Sequence, residues 1–147
     1  MIPSFHAGGN LPPGVHEGTW EEIRARFGGN PHRRRLLRGL RKAFKSLKAA
    51  GCRTVFLDGS FVTAKDLPPD YDACWDVKGV VPNRVDPVFL DFSRGRAAQK
   101  AKYLGEFFPA DLPEGASGKA FLEFFQTDKE TGRRKGIVAI DLKGRLP

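Results

Sequence analysis

A turn and a pair of acidic residues hold the side chains in this chain whose types and spacing could do chemistry. A run of β-forming residues ends in Gly59 and Ser60, and Asp70 and Asp72 follow shortly after. Glycine lets the backbone approach a ligand closely, and the serine adds a hydroxyl donor. If a helix follows the turn, its free N–H groups can bind an anion. The turn therefore predicts a phosphate site.

Asp70 and Asp72 are two positions apart, so on a strand both carboxylates project from the same face. Two such charges repel each other unless a cation lies between them. Mg²⁺ is bound through one or two carboxylates together with phosphate oxygens of the substrate. A pair of Mg²⁺ ions beside a triphosphate would suit phosphoryl or nucleotidyl transfer. The alternative is structural: an ordinary turn at Gly59, with Asp70 capping the turn in "LPPD".

At these residues the sequence resembles the nucleotidyltransferase superfamily that includes polymerase β. The signature of that superfamily is Gly-Ser or Gly-Gly after a strand, followed by Asp-x-Asp on the next strand. Here the match is Gly59, Ser60, Asp70 and Asp72. The resemblance implies that the Gly-Ser turn binds a nucleoside triphosphate and that the aspartates bind two Mg²⁺ ions.

The superfamily also uses a third carboxylate on a neighbouring strand. The resemblance implies Asp141 in "VAID" for that catalytic and metal-binding role, with Asp91 in "VFLDF" as the alternative. Many small members carry Arg-Gly soon after Gly-Ser, whereas this chain has "FVTAK". Lys65 is the candidate that would contact the nucleotide phosphates in its place.

The chain further resembles small uncharacterised bacterial proteins of this superfamily that carry a "DGSFVTAK…P.D.D" core and a "GIVAIDL" ending. That resemblance covers most of residues 11–144. Such small members include toxins that modify tRNA ends, nucleotidylating regulators of partner toxins, and antibiotic-modifying enzymes. The resemblance implies Mg²⁺-dependent transfer of a nucleoside monophosphate from a nucleoside triphosphate to a hydroxyl group.

The net charge of +8 is concentrated in one segment, residues 31–50, which contains eight basic residues and no acidic one. A concentrated basic face favours a polyanionic partner through phosphate contacts and counterion release. Arg34, Arg38 and Arg41 are the candidates for binding the backbone of an RNA acceptor. The alternative is a solvated helix face.

Three functions fit these observations. In the first, the protein nucleotidylates RNA, tRNA in particular, and acts as the toxin of a toxin–antitoxin pair. In the second, catalysis is lost and the fold serves as an RNA-binding or antitoxin-like partner. In the third, the protein nucleotidylates (AMPylates) another protein, and the basic segment binds an acidic protein surface. The sequence identifies neither the nucleotide nor the acceptor.

The elements that must position these residues alternate between helices and strands. This order predicts an α/β or α+β class, with a small mixed sheet flanked by helices in one domain, residues 1–147. The expected elements are an irregular arm over 1–18, helices over 19–27, 31–50 and 96–108 (bent near Gly105), strands over 53–59, 70–77 and 87–92, and a hairpin over 119–144.

Composition sets the broad class. Hydrophobic residues make up 40% of the chain, which is typical of a folded globular protein. No apolar run reaches the roughly 18 residues that a membrane helix needs, so we expect no membrane partner. The first residues lack the pattern of a signal peptide, and two cysteines do not predict a disulfide framework. We therefore expect a cytoplasmic protein.

Overall fold

A five-stranded mixed sheet organises the chain in the computed structural model, which describes residues 1–143. The strands are β1 (Gly14–Glu17), β2 (Thr54–Asp58), β3 (Tyr71–Trp75), β4 (Gly105–Pro109) and β5 (Gly136–Asp141). The helices are α1 (Trp20–Phe27), α2 (Pro31–Ala49), α3 (Ser93–Tyr103) and the short α4 (Phe121–Phe124).

The strands lie in the order β1-β5-β2-β3-β4. Strand β5 is inserted between β1, to which it is parallel, and β2, to which it is antiparallel. Strand β3 pairs antiparallel with β2 and parallel with β4. The mixed α and β class predicted from the sequence is confirmed at this level.

Local sequence explains where the first two helices begin. Thr19 caps α1 through a capping box with Glu22, as predicted. The Asn30 side chain accepts a hydrogen bond from the Arg33 backbone N–H at the start of α2, and Pro31 occupies the first turn. The apolar stripe of α2 is buried at Leu36, Leu37, Leu40, Ala43, Phe44 and Leu47.

The two faces of the sheet carry separate clusters of buried side chains. Helices α1 and α2 pack on one face, where Val55 and Leu57 of β2 and Tyr71 of β3 join the main core. The other face carries a smaller cluster with Cys74, Phe121 and other aromatic side chains from β4 and α4. Because side chains alternate along a strand, Asp58 and Asp72 point to this second face.

Four predicted elements were wrong. The arm over 1–18 contains β1, and residues 87–90 form a 3₁₀ helix rather than a strand. Helix α3 ends at Tyr103, because Leu104 adopts a left-handed conformation and the chain continues as β4. In place of the first hairpin arm the chain forms α4, and one isolated bridge joins Thr127 to Arg134. Among the described residues, no helix has the length and apolar character to span a membrane.

Candidate functional site

Three carboxylates from three adjacent strands lie in one row across the sheet. Asp58 at the end of β2 is paired in register with Asp72 of β3, and Asp72 is paired with Glu106 of β4. Adjacent strands are about 4.8 Å apart, so the register brings these side chains together. Asp70, one residue before β3, adds a fourth carboxylate whose charge acts on Asp72. We call these four residues the carboxylate row.

The Asp72 and Glu106 side chains share a hydrogen bond. Burial, this bond and the neighbouring negative charges of Glu106, Asp70 and Asp58 raise the pKa of Asp72 to about 8. The pKa of Asp70 is also raised, by burial and by Glu106. Asp72 is therefore the member of the pair that holds the proton near neutral pH, and its O–H donates to Glu106.

Two cations from α3 balance the charge of Glu106. Arg96 donates from Nε and Nη2 to Glu106 Oε1 at 3.0 and 2.7 Å, and Lys100 Nζ lies 3.3 Å from the same oxygen. Burial would raise the pKa of Glu106, but the hydrogen bond from Asp72 and these two cations bring it below its ordinary value. Glu106 is therefore the ionised member of the pair.

Asp58 is almost completely buried and pairs with a lysine from the segment before β5. Lys135 Nζ lies 2.8 Å from Asp58 Oδ1. Burial raises the pKa of Asp58, and Lys135 opposes that shift. Lys135 thus places a positive charge at the end of the carboxylate row opposite to Arg96 and Lys100.

Gly59 is required by its geometry. Its φ is +83°, and a Cβ atom there would lie 2.6 Å from Asp72 Oδ2. A side chain would therefore be strained and would collide with the carboxylate row. Ser60 begins a three-residue 3₁₀ helix, and its Oγ makes no hydrogen bond to any of the described residues. The Ser60 hydroxyl is thus available to a ligand at the edge of the row.

A cavity of about 840 Å³ opens beside the Gly-Ser turn and the carboxylate row. Its volume lies within the roughly 300–1,000 Å³ typical of small-molecule sites. The polar wall includes Asp58, Gly59, Ser60, Asp72, Arg96, Glu106 and Lys135, and the apolar wall consists of Phe108, Phe121, Phe124 and Phe125.

Lys65 is exposed and is not among the residues that line this cavity. Its backbone carbonyl instead accepts a hydrogen bond from Arg33, which also donates to the carbonyls of Phe27, Phe61 and Thr63 at 3.1, 2.7 and 3.0 Å. Arg33 is buried, so it holds the segment after Gly59 against α2 and does not belong to the exposed basic face.

Asp141 does not lie beside Asp70 and Asp72, and the prediction of its position is wrong. Strand β5 runs antiparallel to β2, so Asp141 is opposite Thr54 at the start of β2. Asp58 and its partner Asp72 are at the other end, four residues or about 13 Å along the strand. The alternative, Asp91, is not on a strand, and its carboxylate caps Ser93 at the start of α3.

The basic face of α2 lies on the opposite side of the sheet from the cavity, because its apolar stripe joins the core on that side. Arg34 and Arg38 are exposed, and a residue that binds an RNA acceptor must be accessible in this way. Arg41 is half-buried. Their role in binding an acceptor remains a prediction. The first turn of α2 contacts the chain directly after the Gly-Ser turn, since Arg33 donates to the Phe61 carbonyl at 2.7 Å.

Sequence reasoning missed Asp58, Glu106 and Lys135. Glu106 was assigned to a helix, although Gly105 before it and Pro109 after it are signals that end a helix and bound a short strand. Asp58 immediately precedes the Gly-Ser turn, and its alternation with Leu57 along β2 puts it on the face of the sheet that carries Asp72. Lys135 belongs to a basic run with Arg133 and Arg134, and nothing local distinguishes it from them, because its contact with Asp58 depends on the pairing of β5 with β2.

The oxygen donors of the carboxylate row fit Mg²⁺, which prefers carboxylate and phosphate oxygens and needs only one or two carboxylates from the protein. Asp72 and Glu106 would hold it, with Asp70 alongside. Within residues 1–143, no three His, Cys, Asp or Glu side chains are already arranged as a metal-binding group. Asp72 and Glu106 are instead bonded to each other.

Comparison with known proteins identifies one relationship. Searches of curated protein sequences and of solved structures return no significant match. The family described as "Family of unknown function (DUF6932)" matches residues 3–141, which include every strand of the sheet and the whole carboxylate row. The chain therefore belongs to the DUF6932 family.

Proposed function

We propose that this protein is an Mg²⁺-dependent nucleotidyltransferase that transfers a nucleoside monophosphate from a nucleoside triphosphate to a hydroxyl group of RNA. One observation carries the proposal: Gly59 contacts Asp72 at the edge of a ligand-sized cavity, and Asp72 and Glu106 are bonded side by side within it. The nucleotidyltransferase-like fold belongs to the same proposal. It is supported by the sequence resemblance and by a mixed sheet that places the Gly-Ser turn next to the aspartates.

In this proposal Ser60 and Lys135 bind the phosphates. The Ser60 hydroxyl donates to a phosphate oxygen, and the Lys135 ammonium, already directed into the cavity, neutralises its charge. Asp72 and Glu106 would hold Mg²⁺, which supplies charge neutralisation along the triphosphate when bound. Arg96 and Lys100 orient Glu106 through its Oε1.

The proposed transfer is an in-line substitution at the α-phosphorus. A bond forms between the acceptor oxygen and the α-phosphorus, and the bond from that phosphorus to the bridging oxygen breaks. Pyrophosphate leaves with the electron pair of the broken bond, and the acceptor proton passes to a carboxylate of the row. In this proposal Asp70 accepts the proton, because its carboxylate is half-buried and its pKa is raised by burial and by Glu106.

RNA is the acceptor that the charge distribution favours. The exposed side of α2 carries Arg34, Arg35, Arg38, Lys42, Lys45 and Lys48. Because α2 lies on the other side of the sheet from the cavity, an acceptor bound there must pass around the N-terminal end of α2 to reach the carboxylates. A long polyanion can do so, whereas a small acceptor cannot bridge the two surfaces.

The test is transfer of label from α-³²P-labelled nucleoside triphosphates, with Mg²⁺, to total cellular RNA or to total protein. The proposal expects labelled RNA with the wild-type chain and none with Asp72→Asn. If protein were labelled and RNA were not, the acceptor would be a protein and the RNA proposal would be wrong. The absence of label from both would overturn the proposal of nucleotidyl transfer. Asp111→Asn, at an exposed position outside the cavity, is the matched control.

A further inference from the structure

The phenylalanines of the apolar wall differ in how their ring faces are covered. Phe108 already stacks with Phe92 and Phe121, at centroid distances of 5.7 and 4.0 Å and interplanar angles of 16° and 9°. Its ring faces are engaged within the protein. Phe124 instead meets Phe121 nearly at a right angle, 86°, and Phe125 at a tilt of 46°, so it has no stacked partner ring among the described residues. Phe125 also lacks a stacked ring, but it is buried.

A lysine covers the ring of Phe124 in place of an aromatic partner. Lys129 Nζ lies over the ring, 5.6 Å from its centroid, and both residues line the cavity. Phe124 is half-buried and Lys129 is exposed. The face of the Phe124 ring beneath Lys129 is therefore covered by the flexible end of an exposed side chain.

The cavity is thus divided between two chemistries. Near Asp58, Ser60 and Lys135 it suits phosphate, whereas near Phe124 it suits a flat apolar group. Lys129 and Lys135 belong to the same short segment between α4 and β5, so one segment contributes a cation to each region. A nucleotide has these two parts: a phosphate tail and an aromatic base.

We propose that Phe124 stacks against the base of the nucleoside triphosphate, which takes the place of the Lys129 ammonium on the ring. This inference rests on the proposed function and adds the binding mode of the nucleoside. Stacking on a single aromatic side chain tolerates all bases, because every base has a π-face. The site therefore selects for an aromatic base attached to the phosphates, and inorganic triphosphate lacks this contact.

Calorimetry of Mg-ATP and of magnesium tripolyphosphate tests this inference with the same protein samples. We expect Phe124→Ala to weaken ATP binding roughly 5- to 100-fold and to leave tripolyphosphate binding within about twofold of wild type. Phe92→Ala is the matched control, because Phe92 also stacks on Phe108 but does not line the cavity. It should change neither affinity by more than about twofold.

A second measurement does not depend on how the alanine variant folds. The triphosphate of 2-aminopurine riboside loses fluorescence when its base stacks, so binding to the wild-type chain should quench it. Phe124→Leu, which keeps an apolar side chain against Phe121, should bind the probe with less quenching. If Phe124→Leu quenched the probe as strongly as the wild type, the stacking proposal alone would be overturned. The same conclusion would follow if Phe124→Ala lost ATP binding and tripolyphosphate binding to an equal extent. If the wild-type chain bound neither ligand, the proposed function would fall as well.

Discussion

Asp72 and Glu106 lie side by side on the parallel strands β3 and β4 and share a hydrogen bond, although both are carboxylic acids. This arrangement is stable because Asp72 retains its proton and because Arg96 and Lys100 neutralise Glu106. A buried acid that stays protonated near neutral pH is a property that can be measured without knowing the substrate.

The first prediction concerns the pH dependence of stability in metal-free buffer. Folding raises the pKa of Asp72 from its ordinary value to about 8, so its contribution is fully favourable below the unfolded pKa and is lost as the pH rises through 8. We expect the free energy of unfolding to fall by on the order of 3 kcal/mol between about pH 5 and pH 8. Urea denaturation at several pH values measures it.

The variant Asp72→Asn should show a much smaller decrease over the same range. Burial raises the pKa of Asp58 and Asp70 as well, so a residual dependence of the same sign is expected. Asp111→Asn, at an exposed position, should behave as wild type. An unchanged pH dependence in Asp72→Asn would contradict the assignment of the proton to Asp72.

The second prediction separates the two candidates for the third carboxylate. Glu106→Gln should reduce nucleotide transfer by at least roughly 100-fold and weaken Mn²⁺ binding, because it removes a carboxylate from the row. Asp141→Asn should leave both within about twofold, because Asp141 lies at the opposite end of β2. Transfer assays and electron paramagnetic resonance of free Mn²⁺ measure the two effects. The reverse result would restore the position predicted from the sequence.

The third prediction concerns the close approach at the Gly-Ser turn. Gly59→Ala places a methyl group against Asp72 Oδ2 at a positive φ, so we expect a loss of about 1–3 kcal/mol in the free energy of unfolding. Triphosphate binding should fall with it. Gly115→Ala is the control, because Gly115 also lines the cavity and a Cβ there meets nothing within 4 Å. Equal stability of the two variants would show that the turn relaxes.

The fourth prediction concerns the ion pair between Lys135 and Asp58. Lys135→Met should cost up to about 3 kcal/mol near neutral pH, because it leaves a buried carboxylate without its cation. The loss should shrink as the pH falls and Asp58 becomes protonated. Thermal unfolding measures both effects. The double variant Lys135→Met with Asp58→Asn should recover most of the stability. If it did not, the loss of stability in Lys135→Met would come from altered packing around residue 135 and not from the unpaired Asp58 carboxylate.

The fifth prediction concerns RNA binding by α2. Arg34, Arg38 and Lys45 are exposed and lie along one side of the helix. Changing all three to Gln should flatten the slope of log K against log salt by roughly two to three units. Changing Lys78, Arg84 and Lys119, which are exposed elsewhere, should have a smaller effect. Filter binding at several salt concentrations measures the slopes, and equal slopes would show that α2 is only a solvated face.

The parts of the structure that the sequence predicted are those set by local physics. Caps at Thr19 and Asn30 and β-forming runs at β2 and β3 determine elements through near neighbours. Which carboxylate lies beside Asp70 and Asp72 depends on which strands pair and in which direction. That pairing is decided by packing across the whole sheet. Placing β5 antiparallel beside β2 moves Asp141 away, and forming β4 after Leu104 brings Glu106 in.

The insertion of β5 between β1 and β2 has a consequence for biosynthesis. Until residues 136–141 have left the ribosome, the backbone groups along one edge of β2 have no strand partner. An emerging chain therefore exposes an aggregation-prone edge until β5 has been made. The ion pair between Lys135 and Asp58 can form only once Lys135 has been synthesised, so the carboxylate row acquires this cation after all four of its acidic members have been made.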